Sequence, residues 1–410
     1  MTFRTIQLVI LVLLLFNQYY CFRKITANTL KLKRTSAGFI SLMVFVLCMN
    51  VPLIILLVWS PKIIAATKLQ TYALIYPFYV WHFGFFLAGL VLLIIGIVRL
   101  PVITGSWIAA KFRALLAKRR NGAAEHRVHP EERRRFLRQG VTVLVGASFT
   151  ASAYGAFRKD KYESTSITVP IKNLPETFEG FSITLLSDVH SSVFMTKEMM
   201  IGYADAVNNL HSDLIAVTGD FVNSQVEEVY PLAEAFERLR APHGVYGVLG
   251  NHDYYSRNVE EVAKRVNECG IRLLVNEQVR IEKDGNSLYL LGSDDIGTYA
   301  RAEQAFDRAA AGIGSGAPKV LMCHRPYFFE TAEKRGIDLI LAGHTHGGQI
   351  VFARFDDEVF APARFASKYV AGLYTIGNSR MYVSRGIGTV GVPVRLNCPP
   401  EITKITLTRG

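Results

Sequence analysis

Three apolar runs crowd the first hundred residues, Ile6–Phe22, Ala37–Trp59 and Tyr72–Leu100. A segment needs roughly 20 apolar residues to cross about 30 Å of hydrocarbon, and in a bilayer a lone segment can satisfy its own backbone only as a helix. The second and third runs meet that length, so the N-terminal quarter is expected to be helical and membrane-embedded. The first run is shorter and ends on Tyr19-Tyr20, side chains suited to the interface. A cleaved leader is the alternative for it, but no small-residue cleavage site comes after it. Trp81 and His82 lie in the third run. A buried or interfacial pair is expected there rather than a ligand site, since the runs offer no evident polar partner.

Charge divides the chain at about the same place. Residues 1–157 carry 19 Lys+Arg against 3 Asp+Glu, a net of +16, while residues 158–410 carry 27 against 31, a net of −4. The overall +12 therefore belongs to the N-terminal part, where basic residues stand between apolar runs. That is positive-inside patterning rather than a nucleic-acid surface, and no nucleic acid is expected as a partner. Arg23–Arg34 holds five basic residues and Lys111–Arg138 ten, whereas Pro61–Thr71 has only Lys62 and Lys68. With the basic segments inside, four spans would put both termini outside. The fourth would be Val141–Phe157, a mild run behind Arg133-Arg134-Arg135-Phe136-Leu137-Arg138. Those residues resemble a twin-arginine export signal and equally suit a basic stop before an ordinary span. Either would carry the next domain across the membrane.

The expected organisation is transmembrane helices at 1–110, a basic cytoplasmic linker at 111–140, a fourth span or export signal at 141–157, and a folded domain at 165–410. The five cysteines, Cys21, Cys48, Cys269, Cys323 and Cys398, include no CxxC spacing, which excludes a disulfide scaffold and a thiolate zinc site.

From Ser166 onward short β-branched runs alternate with helical stretches, the mark of an α/β domain. Buried strands are expected at Phe181–Leu186, Leu214–Val217, Gly247–Leu249, Leu288–Leu291, Val320–Cys323 and Leu339–Leu341. Helices are expected at Lys197–Leu210, Val229–Leu239, Val259–Cys269 and Arg301–Ala311, and Asp284-Gly285-Asn286 reads as a hairpin turn.

The residues directly behind those strands are polar and come in a fixed order: Ser187-Asp188-Val189-His190, Thr218-Gly219-Asp220, Gly250-Asn251-His252-Asp253, Cys323-His324-Arg325 and Gly343-His344-Thr345-His346-Gly347. Sites in α/β sheets form at the carboxyl ends of strands. One Asp-x-His is an ordinary surface turn; five such motifs, each behind a strand, are not a chance product. Aspartate, asparagine and histidine without thiolate suit borderline divalent metals such as manganese, iron, zinc or cobalt. The alternation in 188–190 and 344–346 is expected to aim two ligands at one centre from an extended segment. Gly219, Gly250, Gly343, Gly347 and Gly348 would let the backbone turn and come close.

The series SDVH, GD, GNHD, CH and GHTH resembles the calcineurin-like metallophosphoesterases over residues 165–410. The ending Gly386-Ile387-Gly388 through Asn397-Cys398-Pro399-Pro400-Glu401 is similar to the membrane-anchored bacterial YkuE/YaeI-type branch. The resemblance implies a four-layer αββα sandwich with two metals at its edge. It further implies that Asp188, His190 and His346 hold one ion and Asn251, His324 and His344 the other, with Asp220 bridging. His252 would protonate the leaving group, oriented by Asp253. The family often has an aspartate where this chain has Asn223.

Around these residues, Arg325 is either a phosphate clamp or half of a surface ion pair. Tyr254 and Tyr255 are expected in the core rather than stacked on a substrate, and His211 and His243 on the surface. A degenerate binding module would have lost ligands, and a transporter would want charges within its spans, so a hydrolase of phosphomonoesters, phosphodiesters or pyrophosphates is expected. Membrane anchoring and the family branch imply an envelope or lipid-linked substrate. Some relatives resemble hydrolases of UDP-diacylglucosamine in lipid A synthesis, a cytoplasmic substrate at odds with an extracytoplasmic domain.

Overall fold

The computed structural model describes residues 3–25, 37–59, 67–117, 130–355 and 358–410. Most of both short loops used for the charge count, and the centre of the basic linker, lie outside the described residues. The chain divides into two compact units, Met1–Lys62 with Lys68–Tyr154, and Ile63–Thr67 with Gly155–Gly410.

The first unit is helical. It contains α1 (Phe3–Ile25), α2 (Ala37–Trp59), α3 (Lys68–Gln70) leading through a π-helical turn into α4 (Tyr76–Ala117), and most of α5 (Pro130–Arg158). Among the described residues, three stretches are long and apolar enough to cross a membrane: Ala37–Ile54, Thr71–Ala109 and Gln139–Arg158, with mean hydropathies of 2.2, 2.6 and 1.3. The described parts of the basic linker are helix rather than loop, Lys111–Ala117 ending α4 and Pro130–Gly140 opening α5. Their Ala, Leu, Arg and Glu content favours that state. Polar bonds that the apolar reading passes over join the helices. Asn50 Nδ2 donates to Gln18 Oε1 at 2.9 Å, Asn17 Nδ2 to the Phe85 carbonyl at 2.8 Å, and Ser152 Oγ to the Val80 carbonyl at 3.1 Å. Such bonds hold apolar helices in one register, each contributing on the order of 1 kcal/mol. His82 is buried, its ring 4.4 Å from that of Phe78.

The second unit holds fourteen strands among its described residues. In chain order they are β1 Glu163–Ile171, β2 Ser182–Leu186, β3 Leu214–Val217, β4 Val245–Gly247, β5 Arg272–Leu273, β6 Glu277–Lys283 and β7 Asn286–Gly292. The series continues with β8 Lys319–Met322, β9 Leu339–Ala342, β10 Ala353–Phe355, β11 Glu358–Phe360, β12 Gly372–Ile376, β13 Ser379–Val383 and β14 Glu401–Arg409. One sheet is ordered β1-β14-β2-β3-β4-β5 and the other β12-β13-β9-β8-β7-β6, with β10-β11 a separate hairpin. In the first, β2 to β5 run parallel and β14 enters antiparallel beside β2. In the second, β7, β8, β9 and β13 run parallel between antiparallel edges.

Side-chain alternation shows how the layers stack. Leu214 and Ala216 of β3 share one cluster with Val320 and Met322 of β8 and Leu339 and Leu341 of β9, so the two sheets face each other. The intervening Ile215 and Val217 turn outward onto helices α6 (Lys197–Asn208), α7 (Val229–Phe236) and α9 (Val259–Glu268). Leu321, Ile340 and Ala342 turn outward toward α10 (Tyr299–Ala309) and α11 (Phe329–Glu333). Strands buried on both faces read as continuous apolar runs, which is why these are legible in the sequence. The expected αββα order is the one observed. The β4 strand lies two residues earlier than expected, because Val248 and Leu249 are buried apolar residues of the loop leaving the strand.

Candidate metal centre

All five motifs converge at the carboxyl edges of the facing sheets. Asp188 and His190 leave β2, Asp220 leaves β3, and Asn251 opens the short helix α8 (Asn251–Tyr255) after β4. His324 leaves β8, and His344 and His346 leave β9. The backbone there is not extended, contrary to expectation. Asp188, His190, His344 and His346 have φ of 51°, 49°, 71° and 52°, Asp220 has 54°, and Thr345 is helical. Left-handed backbone costs on the order of 1–3 kcal/mol per non-glycine residue and persists only where surroundings impose it. Here the chain must curl so that both side chains of a motif reach one point. Backbone bonds hold it, among them Asp188 N–H to Gly219 O at 3.1 Å, His190 N–H to Asp220 O at 2.9 Å and Gly388 N–H to Asp188 O at 2.8 Å.

Two glycines permit the closest approaches. A Cβ on Gly250 would lie 2.2 Å from Asp220 Oδ1, and one on Gly343 would lie 1.8 Å from Ser187 Oγ and 2.4 Å from Asp188 Oδ2. No side chain fits at either position.

The donor atoms form three overlapping groups: Asp188, His190 and His346; His190, Asp220 and His252; and Asp220, His324 and His344. Within each, the ligand atoms lie within 4.8 Å of one another. His190 Nε2 and His346 Nε2 face each other at 3.0 Å. Asp220 Oδ2 is 3.4 Å from His190 Nε2 and 3.3 Å from His324 Nε2, so one carboxylate oxygen serves both sides. Asn251 Oδ1 lies 3.2 Å from His324 Nε2, and His344 Nδ1 another 3.2 Å from that atom. The His324 Nδ1 proton goes to the Thr218 carbonyl at 2.7 Å, which turns Nε2 toward Asp220 and Asn251.

Electrostatics favours a cation at this point. Burial pushes the Asp188 carboxyl up to about 6 and, with the Asp220 charge, the Asp253 carboxyl up to about 7. Burial opposes ionisation of Asp220 as well, but the facing His324, with His190 and His252, outweighs it and holds this carboxyl well below the usual range. His324 loses basicity to burial and gains more from Asp220 and Asp188, ending up at about 10. Burial holds His190 and His344 down to about 3, and His346 also well below its ordinary value. Three neutral imidazoles and an ionised carboxylate thus point inward, and a divalent ion bound here would take the place of the proton on His324 Nε2. The donor set fits such ions.

Asp253 does not orient His252. Its Oδ2 accepts the backbone N–H groups of Gly250 (2.8 Å) and Asp220 (3.1 Å), and its Oδ1 that of Val222 (3.1 Å). It caps α8 from the third helical position and fastens that helix to the β3 loop. The His252 ring is held instead through Nδ1 by the carbonyl of Asn223. A carbonyl only accepts, so Nδ1 carries the proton and Nε2 is the atom left to work.

Around the centre, Arg325 makes a two-pronged pair with Asp295, Nε to Oδ1 at 2.7 Å and Nη2 to Oδ2 at 2.8 Å. Tyr254 and Tyr255 are 39% and 58% exposed and not in the core; α8 has less than two turns and turns them outward. The Tyr255 ring sits 5.1 Å from that of His252. His211 is exposed, and His243 is half-buried against Phe181.

Two supports have no counterpart in the sequence reading. Ser187 Oγ donates to Asp188 Oδ2 at 2.6 Å. Arg395 is buried and its guanidinium reaches the carbonyls of Gly388 (2.6 Å), Arg385 (2.8 Å), Gly386 (3.1 Å), Cys398 (3.2 Å) and His346 (3.5 Å). It binds the C-terminal loop to the last ligand turn. A single arginine between Val394 and Leu396 gives no local sign of that role.

The sequence pattern of the family described as calcineurin-like phosphoesterase matches residues 181–348. The chain is 30% identical over 254 residues to a transmembrane protein with metallophosphoesterase domain from Danio rerio, covering 60% of this chain and 57% of that one. It is 30% identical over 278 residues to an uncharacterized metallophosphoesterase of Helicobacter pylori strain J99, covering 66% and 70%. It is 28% identical over 285 residues to the uncharacterized metallophosphoesterase YkuE of Bacillus subtilis, covering 67% and 97%. The match spans only a little more than half the length of the animal transmembrane relatives, 57% and 56% for the first two.

Proposed function

Because the chain belongs to the calcineurin-like metallophosphoesterases, metal-dependent hydrolases of phosphoester bonds, we propose that it works through a dinuclear centre. Asp188, His190 and His346 would hold one ion, Asn251, His324 and His344 the other, and Asp220 would bridge. The observation that carries this reading is the position of Asp220 Oδ2, within 3.4 Å of a histidine from each group. Manganese, iron, zinc or cobalt suits nitrogen and oxygen donors without thiolate. When bound, such a pair supplies positive charge for phosphoryl oxygens and lowers the pKa of water toward neutrality. The chain's own residues do the rest. The Thr218 and Asn223 carbonyls orient two imidazole rings through Nδ1–H. His252, acting in its imidazolium form, passes the Nε2 proton to the departing oxygen and is left as the neutral Nδ1–H ring. Chelation of the purified protein is expected to abolish hydrolysis of bis(4-nitrophenyl) phosphate, with return on adding one of these metals. Full activity in metal-free protein would sink the reading.

The protein is membrane-associated, as its transmembrane relatives and its long apolar helices indicate. We place it as a multi-pass protein with the catalytic domain outside the cytoplasm, acting on an envelope or lipid-linked phosphoester. The basic counts around the first spans and before Val141 support that orientation, since Lys and Arg near span ends resist translocation. The low hydropathy of 1.3 at Gln139–Arg158 is the step on which it depends. If that helix does not cross, the domain is cytoplasmic and hydrolysis of UDP-diacylglucosamine becomes the better substrate reading. A periplasm-dependent phosphatase reporter is expected to be active after Lys161 and inactive after Arg120. Replacing Arg133 and Arg134 with Lys would then abolish that activity on a twin-arginine route and spare it for an ordinary span. Activity at Arg120 with none at Lys161 would reverse the topology. Side-by-side phosphatase, phosphodiesterase and UDP-lipid assays would separate the substrate classes.

A further inference from the structure

A cavity of about 380 Å³ opens beside the centre, lined chiefly by Tyr299, Tyr327, Phe328, Ser367, Lys368 and Tyr369. Tyr327 joins the two: its ring meets the His344 ring edge-on, centroids 5.4 Å apart at 88°. On the opposite wall, Thr345 Oγ1 donates to the Val370 carbonyl at 2.6 Å, so the segment 366–370 is tied to the turn between His344 and His346. We propose that this cavity is a subsite for a planar ring, a nucleobase or comparable aromatic group, carried by the part of the substrate that does not leave. The proposal rests on the phosphoesterase reading above.

The ligand class is set by the groups the lining still has to offer. Tyr299 Oη donates to the Tyr327 carbonyl at 3.3 Å, and Tyr369 Oη to Glu330 Oε1 at 2.9 Å. Lys368 pairs with the same Glu330 carboxylate, and Ser367 Oγ is engaged with the backbone of Tyr369 at 2.9 and 3.0 Å. With Lys368 and the hydroxyls of Tyr299, Ser367 and Tyr369 already partnered, the described lining offers no uncompensated charge for a second phosphate. It presents ring faces. Tyr299 is braced edge-on by Phe328 at 5.2 Å and 86°, yet remains 60% exposed, as a stacking platform must. Rings pre-set in this way lose little freedom when another ring stacks on them.

Two esters that release the same 4-nitrophenolate isolate the effect: thymidine 5′-(4-nitrophenyl phosphate) and methyl 4-nitrophenyl phosphate. The full-length, metal-loaded protein is expected to show a kcat/KM about 10–100-fold higher for the thymidine ester, the scale of one stacked base. Tyr299→Ala should erase most of that advantage, chiefly through KM, while leaving the methyl ester's rate unchanged, which also reports that the variant is folded and loaded. Tyr299→Phe should keep it. Equal kcat/KM for the two esters in the native protein would overturn the subsite. So would an advantage that survives both Tyr299→Ala and Tyr369→Ala, or a preference for an octyl over the thymidine ester, which would assign the cavity to an alkyl chain. Failure to hydrolyse either ester with metal bound would instead remove the phosphoesterase reading on which the subsite stands.

Discussion

Asp220→Asn is expected to release most of the bound metal and nearly all hydrolysis of a phosphodiester. The change is almost isosteric. Asn can still accept the His252 backbone N–H that Asp220 Oδ1 accepts at 2.8 Å, so α8 should stay in place. What changes is the other oxygen, 3.4 Å from His190 Nε2 and 3.3 Å from His324 Nε2. An amide there carries no charge, and in one of its two orientations presents hydrogens where both groups of ligands need a shared acceptor. Among the seven proposed ligands only Asp188 and Asp220 are carboxylates, so the variant keeps a single negative charge to hold two dications. The loss should therefore exceed the roughly 10–100-fold typical of removing a supporting group around a metal. Elemental analysis of the purified variant checks it, with circular dichroism to confirm the fold. Two metals per chain in Asp220→Asn would rule out the bridging role.

His252→Ala should lower kcat by about 10²–10⁴ with metal content intact, because its assigned task is proton transfer rather than ligation. His252 does lie in one of the donor groups, with His190 and Asp220, so the metal measurement is a real test. The ring is fixed through Nδ1 by the Asn223 carbonyl, which leaves Nε2 toward the reaction. Protonation matters most when the leaving oxygen is basic. The deficit should accordingly shrink on 4-nitrophenyl esters and be largest on alkyl esters; an equal deficit on both would remove the acid role. Asp253→Ala gives the contrast. It strands three buried backbone N–H groups, each costing about 1–3 kcal/mol when unsatisfied, so it should lower the thermal midpoint as well as activity.

The contrast between His252 and Asp253 also marks how far the sequence can be read. Donor identity is legible because each ligand stands a few residues behind a strand buried on both faces, and such strands are continuous apolar runs. Strands β1 and β14 are not legible in that way: their burial alternates, and their pairing joins Glu163–Ile171 to Glu401–Arg409 across most of the domain. The curled backbone at Asp188, His190, His344 and His346 is also invisible, since an Asp-x-His spacing suits an extended strand equally well.

The sequence alone determined which residue types could form a centre, that they sit behind strands, and that apolar helices precede them. These are near-neighbour properties, carried by periodicity and by residue chemistry. Tertiary structure decided the rest. His190 meets His346, 156 positions further along the chain, and His324 meets Asp220 only because two sheets face each other. Packing also assigned Asp253 to a helix cap, gave His252 to the Asn223 carbonyl, and buried Arg395 among loop carbonyls. Such contacts satisfy buried polar groups, and which groups become buried together is settled by the whole fold, not by any local stretch of chain.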